Sequence, residues 1–423
     1  MSTRRYKPGM MWIADGGRRS FYPWLIVKRK ADVLETLGQW DNAEKLYLRN
    51  LEMSGYCGDM VHQALSQNDQ GWMLTNKGRP DQARTMLEEA YKTFKETNHS
   101  FGLARCCNFL GTLYYRQGQY QKAIEYYNAD LDISVTVNDQ EAVCALYGNL
   151  GIVYYELGHL PKALDYYRKQ IELSEKIGNR ANICNGMGNM ASIYLDLGDY
   201  AKALECSNTQ LTMAAQMGEL NSIAVASNNI GDCYLKQGHF PEARENFERQ
   251  LAISKKLGDK FLESVAYGDL GQVYEALGQK REALQNYSLA IEIQNNQDIK
   301  YYLCYYLFAR AQVYFDLKQF LPALEDTASA RAIAGEIGRE EVLFKVRLLE
   351  ALLKAEDDPA EAADALAGLL EENSDGKRQF EVLCQMYRIT AKPAYKDQAQ
   401  GLFQSANTAT WPHSLRRLAE NWE

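Results

Sequence analysis

The sequence predicts an all-α protein, a right-handed superhelical α-solenoid of about eight or nine helix pairs with capping helices at its C-terminal end. Three observations predict this fold. Residues that tolerate a left-handed backbone recur at a fixed interval, small residues and tyrosines recur in phase with them, and only 9 of the 423 residues are proline. A low proline content favours long helices, because proline removes a backbone donor and breaks the helix interior.

Helix-ending residues mark the chain every 20 positions. One series recurs every 40 residues: Gly38, Gly78, Gly118, Gly158, Gly198, Gly238 and Gly278, with Lys318 at the next position. The positions halfway between carry Gly, Asn or Asp: Gly58, Asn98, Asn138, Gly178, Gly218, Gly258, Asp298 and Gly338. These residue types adopt the left-handed conformation that ends a helix and turns the chain. Each interval therefore fits one helix of roughly 16 residues, about 24 Å long.

Two further series keep the same 40-residue phase. Small residues occupy one position of each first helix: Ala31, Gly71, Gly111, Gly151, Ala191, Gly231, Gly271 and Ala311. Small side chains at this position allow the two helices of one pair to approach closely. Tyrosines follow three positions later, from Tyr114 to Tyr314, and we expect them to fill the space between pairs.

A small residue followed by Tyr, Gly and Ala after three, seven and twelve positions resembles the tetratricopeptide repeat (TPR). The segments GNLGIVYYELGHLPKALDYY (148–167), GNMASIYLDLGDYAKALECS (188–207) and NNIGDCYLKQGHFPEARENF (228–247) carry this pattern. The 40-residue period is longer than that of the usual TPR. It is similar to the repeats of Pins-type cell-polarity adaptors, kinesin light chains and bacterial TPR regulatory regions.

The repeats divide the chain into four predicted regions. They are a basic N-terminal arm at 1–23, eight TPR units at 24–338, a degenerate ninth unit at 339–374 and C-terminal capping helices at 375–423. A solenoid must cover its last apolar face, so an atypical end is expected of a cap. A docking element is the alternative at this end, because Trp411 and Trp422 are near it.

The charge is unevenly distributed, although the net charge is −8. Residues 1–30 contain eight Lys or Arg residues and one acid, Asp15. Such an arm can reach a nucleic acid, an anionic membrane or an acidic neighbour, but a solvated tail is the simpler interpretation. The acidic remainder gives no reason to expect a nucleic-acid partner. No apolar run approaches the roughly 20 residues of a membrane span, so we expect no membrane partner either.

The sequence does not contain the patterns of a catalytic or metal site. Its nine cysteines include no CxxC pair, which indicates buried thiols in a reducing compartment and a cytoplasmic protein. There is no HExxH, no GxxxxGK[ST] and no GxSxG. We therefore expect no enzyme activity, no cofactor and no metal.

A row of asparagines is the main candidate for a binding site. In a TPR superhelix the first helix of each unit lines the concave groove, and the position two residues before the small one faces it. Asn149, Asn189 and Asn229 occupy this position in three consecutive units, and Asp269 follows in the next. An amide both donates and accepts, which suits the backbone of an extended peptide. The resemblance implies this use, because relatives with longer repeats have asparagines there; the alternative is that these amides bond only locally.

Flanking residues suggest how a ligand would be oriented. Arg105 and Arg116 bracket Phe109, and Tyr115 and Tyr155 are nearby, which makes the groove around 105–116 basic and aromatic. The acidic part has Asp232 and Gln272 one residue after the small position, together with Glu156, Asp196, Asp269 and Glu275. We expect a ligand to place its acidic part near 105–116 and its basic part near 196–275. Ordinary solvated charges are the alternative.

These features predict a scaffold that binds a peptide or a partner protein in its groove. Two other functions remain open. The chain could be the ligand-responsive regulatory or sensory region of a larger signalling protein, such as a cyclase, kinase or regulatory ATPase. It could also self-assemble into a homo-oligomer, through an aromatic cluster that is either core or a dimer face: Tyr301, Tyr302, Tyr305, Tyr306, Phe308 and Phe315.

Overall fold

The computed structural model describes residues 13–15, 18–20, 23–37, 39–57, 59–297, 299–406, 415 and 418. The chain divides into two compact units, residues 1–179 (unit 1) and 180–423 (unit 2), which are described separately below. The predicted helix stops Gly38, Gly58 and Asp298, and the terminal Trp411 and Trp422, lie outside the described residues.

Unit 1 begins with a short hairpin that the sequence analysis did not predict. Strands β1 (Ile13–Asp15) and β2 (Arg18–Ser20) are antiparallel, with Ile13 opposite Ser20. The helices follow in chain order: α1 (Pro23–Thr36), α2 (Trp40–Cys57), α3 (Met60–Asn76), α4 (Pro80–Glu96), α5 (Ser100–Arg116), α6 (Tyr120–Thr136), α7 (Gln140–Glu156) and α8 (Leu160–Ile177). Each odd-numbered helix packs on the next even-numbered one, and these are the first and second helices of a pair.

Unit 2 continues the same arrangement. Its helices are α9 (Arg180–Asp196), α10 (Tyr200–Met217), α11 (Leu220–Gln237), α12 (Phe240–Leu257), α13 (Lys260–Ala276), α14 (Lys280–Asn296), α15 (Lys300–Asp316), α16 (Phe320–Ile337), α17 (Glu340–Lys354), α18 (Pro359–Glu372), α19 (Gly376–Thr390) and α20 (Pro393–Ser405). The pairing of odd and even helices extends to α19 and α20. No helix within the described residues is long and apolar enough to cross a membrane.

Every predicted helix stop that the structure describes has a left-handed backbone. φ is +73° at Gly158, +54° at Asn98 and +57° at Lys318, where a lysine replaces the expected glycine. At Gly158 the backbone N–H groups of Gly158 and His159 donate to the carbonyls of Tyr155 and Tyr154, at 2.8 and 2.9 Å. These bonds satisfy carbonyls that the ended helix would leave without partners. The predicted 20-residue interval is therefore confirmed at these positions.

A close contact between a glycine and an aromatic ring joins the two helices of several pairs. A Cβ atom placed on Gly151 would lie 2.5 Å from Cε1 of Tyr167, and one on Gly271 would lie 2.6 Å from Cε1 of Tyr287. In α9 the small residue is Ala191, and α10 carries Ser207 where the pairs with a glycine have a large side chain. Ala191 and Ser207 are both fully buried. A larger residue on one helix is thus matched by a smaller one on the other, which keeps the packed volume nearly constant.

The tyrosines three positions later contact both their own pair and the preceding one. The rings of Tyr114 and Tyr126 stack with centroids 5.5 Å apart, and Tyr154 stacks on Tyr166 at 5.4 Å. The hydroxyl of Tyr114 donates to Glu88 of the preceding second helix at 3.1 Å. These side chains therefore fill the space between pairs, as the sequence predicted, and also pack within one pair.

Most of the aromatic cluster around residue 305 belongs to the core of unit 2. Tyr306 and Phe308 are 1% and 8% exposed, whereas Tyr301 is 54% exposed. Tyr302, Tyr305 and Phe315 are partly buried against the same core. The ring of Tyr306 covers the backbone of Gly268, where an added Cβ would be 2.1 Å from Cε1. A dimer face at this cluster would therefore have Tyr301 as its main exposed aromatic ring.

We expect Gly151→Ala to destabilise the chain by about 1–3 kcal/mol, because the new methyl group would overlap the buried ring of Tyr167. The matched control is Gly335→Ala in α16, where an added Cβ meets no atom within 4 Å. This change should stabilise the chain by up to about 1 kcal/mol, since alanine is the better helix former. Urea unfolding followed by circular dichroism measures both effects, and midpoint shifts of the same sign would contradict the close contact.

Candidate functional site

The predicted binding positions of unit 2 lie on adjacent first helices. Asn189 is half-buried on α9, Asn229 is 6% exposed on α11 and Asp269 is 8% exposed on α13. Helix α11 contacts both α9 and α13, so equivalent positions are neighbours. Asp232 and Gln272 are half-buried one turn further along α11 and α13. We call these five residues, Asn189, Asn229, Asp232, Asp269 and Gln272, the amide–carboxylate row.

Asn229 makes one local hydrogen bond of the kind that the alternative interpretation expected. Its Nδ2 donates to the carbonyl of Gly188 on α9 at 3.4 Å. This distance is long for an N–H···O bond, whose usual range ends near 3.2 Å. An asparagine amide has two N–H donors and a carbonyl acceptor, so a single weak bond occupies only part of its capacity. Asn229 therefore links two first helices through part of its hydrogen-bonding capacity.

Asp269 is the centre of a hydrogen-bond network that joins three helix pairs. Nδ2 of Asn228 donates to Asp269 Oδ2 at 2.8 Å and to Gln250 Oε1 at 3.2 Å. Nε2 of Gln272 donates to Asp269 Oδ1 at 3.1 Å, and the hydroxyl of Tyr305 donates to Gln272 Oε1 at 3.3 Å. Each oxygen of the buried carboxylate thus has a neutral donor, and the side chain is fixed in position.

Burial disfavours the charged forms of both Asp232 and Asp269. Burial and, to a lesser extent, the charge of Asp196 raise the pKa of Asp232 to about 6, although Lys236 opposes them. Burial also raises the pKa of Asp269 well above its ordinary value, with the charge of Asp232 as the next cause. Lys236 lowers the pKa of both carboxylates but does not restore it. Both carboxylates are therefore harder to ionise than free aspartates, and Lys236 only partly offsets this.

Other acidic and aromatic groups of unit 2 extend this environment. Burial raises the pKa of Glu275 to about 7, although the hydroxyl of Tyr287 donates to its carboxylate at 2.8 Å. Burial and the charge of Asp269 raise the pKa of Tyr302 to about 12, so its hydroxyl stays protonated at neutral pH. The predicted acidic residues of this unit are thus accompanied by buried and partly buried tyrosines.

Three predicted residues of unit 1, Arg105, Phe109 and Arg116, form a stack with Trp72 in which two adjacent rings have a guanidinium group at each end. The Arg105 guanidinium lies 5.1 Å from the centroid of the Phe109 ring, which stacks on Trp72 at 4.6 Å. The Arg116 guanidinium lies 5.9 Å from the centroid of Trp72. From the sequence we expected both arginines to bracket Phe109. Arg116 instead contacts Trp72, because the Trp72 indole, which comes from the preceding first helix, lies between Phe109 and Arg116.

Both arginines have partners that the sequence analysis did not consider. Arg105 Nη2 is 2.8 Å from Asp69 Oδ1, and Asp69 is only 3% exposed. Arg116 Nη1 donates to the backbone carbonyl of Thr75 at 3.2 Å. The region around 105–116 is therefore less basic than a count of its cations suggests. The ion pairs Lys280–Asp316 and Lys300–Glu336 also join residues that are 36 positions apart in the sequence. This recurring spacing is the signal that could have predicted Asp69 as the partner of Arg105.

The remaining predicted residues of unit 1 are half-buried on α5 and α7. They are Asn149, Tyr115 and Tyr155. Burial and the nearby charge of Glu156 raise the pKa of Tyr115 to about 12. Within the described part of the chain, no group of three or more His, Cys, Asp or Glu residues is arranged to hold a metal ion.

Comparison with protein families identifies the repeats. A tetratricopeptide repeat model matches six overlapping segments: 25–96, 63–134, 103–176, 141–216, 182–256 and 222–296. The chain belongs to the tetratricopeptide repeat family. The matched segments contain the whole amide–carboxylate row and the aromatic stack of unit 1. No curated protein matches the sequence.

Solved structures of TPR proteins share this fold. A Rap protein in complex with Competence and Sporulation Factor is 14% identical, with a TM-score of 0.58 over 85% of this chain and 99% of the other. The apo form of the quorum sensor NprR from B. thuringiensis is 17% identical, with a TM-score of 0.54 over 82% and 98%. A signal-transduction ATPase with a TPR sensor from Pyrococcus horikoshii is 15% identical, with a TM-score of 0.53 over 85% and 55%.

The family and the fold define the broad class of function. The chain is a protein-interaction or regulatory TPR domain. Repeat scaffolds of this kind are typically non-enzymatic, and their partners are proteins or peptides. At identities of 14–17% the structural similarity shows the fold alone.

We expect the stability of the chain to fall as the pH rises through the titration of Asp232. Its folded-state pKa is about 6, against an ordinary value of 3.8. The folded chain therefore holds more protons than the unfolded chain between these values, and the free energy of unfolding decreases from about pH 4 to above pH 6. Asp232→Asn should raise the stability at pH 7.5 by about 1 kcal/mol and change it little at pH 4.5.

Urea midpoints at the two pH values measure this effect. The control is Asp165→Asn, which removes an exposed carboxylate that pairs with Lys169 on α8 and should have a small effect at both pH values. An equal gain for Asp232→Asn at pH 4.5 and pH 7.5 would show that the carboxylate is not under electrostatic strain.

Proposed function

We propose that the amide–carboxylate row of unit 2 binds an extended peptide with a basic side chain, and that the chain acts as a peptide-binding interaction module. The observation that carries this proposal is the carboxylate pair Asp232 and Asp269, which is under-compensated and lies beside amides on adjacent helices. The proposal does not need the other residues predicted for this surface, which are all on unit 1: Asn149, Arg105, Phe109, Arg116, Tyr115 and Tyr155.

The spacing of the amides suits a peptide backbone. Packed helix axes are about 8–10 Å apart, and an extended chain rises about 3.3 Å per residue. Asn189 and Asn229 would therefore meet peptide residues about three positions apart. Each amide can accept from a backbone N–H and donate to a backbone C=O, which binds the main chain without requiring a particular side chain.

The carboxylate pair would supply the specificity. Burial raises the pKa of both carboxylates, the charge of Asp232 raises that of Asp269 further, and Lys236 opposes these effects only in part. Charged groups that lower the stability of a fold are common at functional sites, because a ligand removes their cost. A Lys or Arg side chain placed between the two carboxylates would provide the missing positive charge. The neutral donors Asn228 and Gln272 hold Asp269 in position for this contact.

A random peptide library tests the proposal without knowledge of the natural partner. Phage-displayed heptapeptides selected on the whole chain should converge on sequences with one basic position. A synthetic consensus peptide should bind about 5- to 30-fold more weakly to Asn189→Ala, which removes one amide from the row, by titration calorimetry. Asp232→Asn should weaken the basic peptide but not its variant with citrulline or norleucine at the basic position.

The matched control is Asn208→Ala, the same substitution at an exposed position of α10 in the same helix pair. It should leave the affinity unchanged. Equal affinities for Asn189→Ala and Asn208→Ala would remove the amide row from the binding site. Selected peptides without a basic position would exclude the role of the carboxylates.

A further inference from the structure

Unit 1 contains a pocket that the peptide row does not include. Its volume is about 530 Å³, and charged and aromatic side chains of α1, α2, α3 and α5 line it. Its charged residues are the carboxylates Asp32, Glu35 and Asp69 and the cations Lys28 and Arg105. The pocket therefore has three acidic groups and two basic ones.

Lys28 and Arg105 already form ion pairs with two of the three carboxylates. Lys28 Nζ is 2.8 Å from Asp32 Oδ2 and 3.6 Å from Asp69 Oδ2. Arg105 Nη2 is 2.8 Å from Asp69 Oδ1. Asp69 is almost completely buried, so these pairs are needed to offset the cost of its charge. Neither cation forms an ion pair with Glu35 among the contacts of the described residues.

Neutral donors alone hold Glu35 in place. Trp72 Nε1 donates to Glu35 Oε1 at 3.0 Å, and Asn76 Nδ2 approaches the same oxygen at 3.4 Å. The hydroxyl of Tyr47 is 2.8 Å from Glu35 Oε2. These donors come from α2 and α3, whereas Glu35 is on α1. They fix the direction of the carboxylate, and none of them is a counterion; among the described residues, no ion pair neutralises its charge.

The hydroxyl group of Tyr47 is shared between the carboxylates of Asp32 and Glu35. It is also 2.6 Å from Asp32 Oδ1, so one phenolic proton lies between two carboxylate oxygens. A hydroxyl has a single proton to donate, so it can satisfy only one of them at a time. Burial and both carboxylates raise the pKa of Tyr47 far above its ordinary value, which keeps it a phenol. A further positive group at this point would satisfy the second oxygen.

We propose that this pocket binds the guanidinium group of an arginine from a protein partner, with Glu35 as its carboxylate. Guanidinium is planar and has five donors, so it can bond to Glu35 and to Asp32 together. Trp40, which is 40% exposed, supplies an indole surface of the kind on which guanidinium stacks. A divalent metal is a poorer fit, because Asp32 and Asp69 are already paired with Lys28 and Arg105.

The proposal does not depend on the peptide row, because the pocket is in unit 1 and a single amino acid tests it. The probe is N-acetyl-arginine N-methylamide, compared with the citrulline and lysine analogues. The whole chain is labelled with ¹⁵N at the tryptophan indoles, and Trp72→Phe assigns the Trp72 signal. Because the Trp72 N–H donates to Glu35, this signal should shift with saturation on addition of the arginine probe.

The arginine probe should bind at least tenfold more tightly than the neutral citrulline analogue and also more tightly than the lysine analogue. Glu35→Gln should abolish the preference for arginine over citrulline. The matched control is Glu44→Gln on α2, which removes the same charge from the same helix pair but pairs with Lys77 and Arg79. This control should keep the preference.

Several outcomes would overturn the proposal. Equal binding of the arginine and citrulline probes by the wild-type chain would exclude a charge-specific site, and equal binding of the lysine probe would exclude selection of guanidinium. An equal loss of the preference for arginine in Glu44→Gln would show that the overall electrostatic field of unit 1, and not Glu35 itself, causes the effect. If Glu35→Gln does not fold, Trp40→Ala at the exposed rim provides the second test and should weaken arginine binding at least threefold; an unchanged affinity there would also contradict the proposal.

Discussion

The rest of the structure depends on the contact between a small residue of each first helix and the side chain that covers it from the paired second helix. Gly151 under Tyr167 and Gly271 under Tyr287 show this contact, and Ala191 with Ser207 shows the compensated version. This contact fixes the distance between the two helices of each pair. A sequence pattern that repeats every 40 residues therefore produces helix pairs that repeat in the structure. Equivalent residues of successive first helices then become neighbours, and a row such as Asn189, Asn229 and Asp269 in unit 2 follows from core packing.

Features that depend on local backbone chemistry could be predicted from the sequence, and contacts between pairs could not. The helix stops were predicted because Gly and Asn tolerate the left-handed backbone that ends a helix, and Lys318 adopts the same backbone at the next position of the series. The partners of Arg105 and Asn229 were not, because they depend on which faces of successive helices meet. Arg105 pairs with Asp69, 36 residues earlier, and Asn229 bonds to Gly188, 41 residues earlier. The hairpin of β1 and β2 was missed because its segment has no repeat.

Each unit, considered by itself, has buried or half-buried carboxylates that the described cations beside them do not fully compensate. In unit 2 these are Asp232 and Asp269: burial raises both pKa values, and the charge of Asp232 adds to the shift of Asp269. In unit 1 the carboxylate is that of Glu35, because Lys28 and Arg105 form ion pairs with Asp32 and Asp69. Fixed neutral donors hold the carboxylates in both places, so little reorganisation is needed when a cation binds. Both arrangements favour a basic partner.

The most direct test of the account is a crystal structure of the chain with a peptide selected from the random library. The account predicts an extended peptide whose backbone bonds to the amides of Asn189 and Asn229 and whose basic side chain lies between Asp232 and Asp269. A peptide bound on the second helices, or one whose basic side chain points away from both carboxylates, would contradict it.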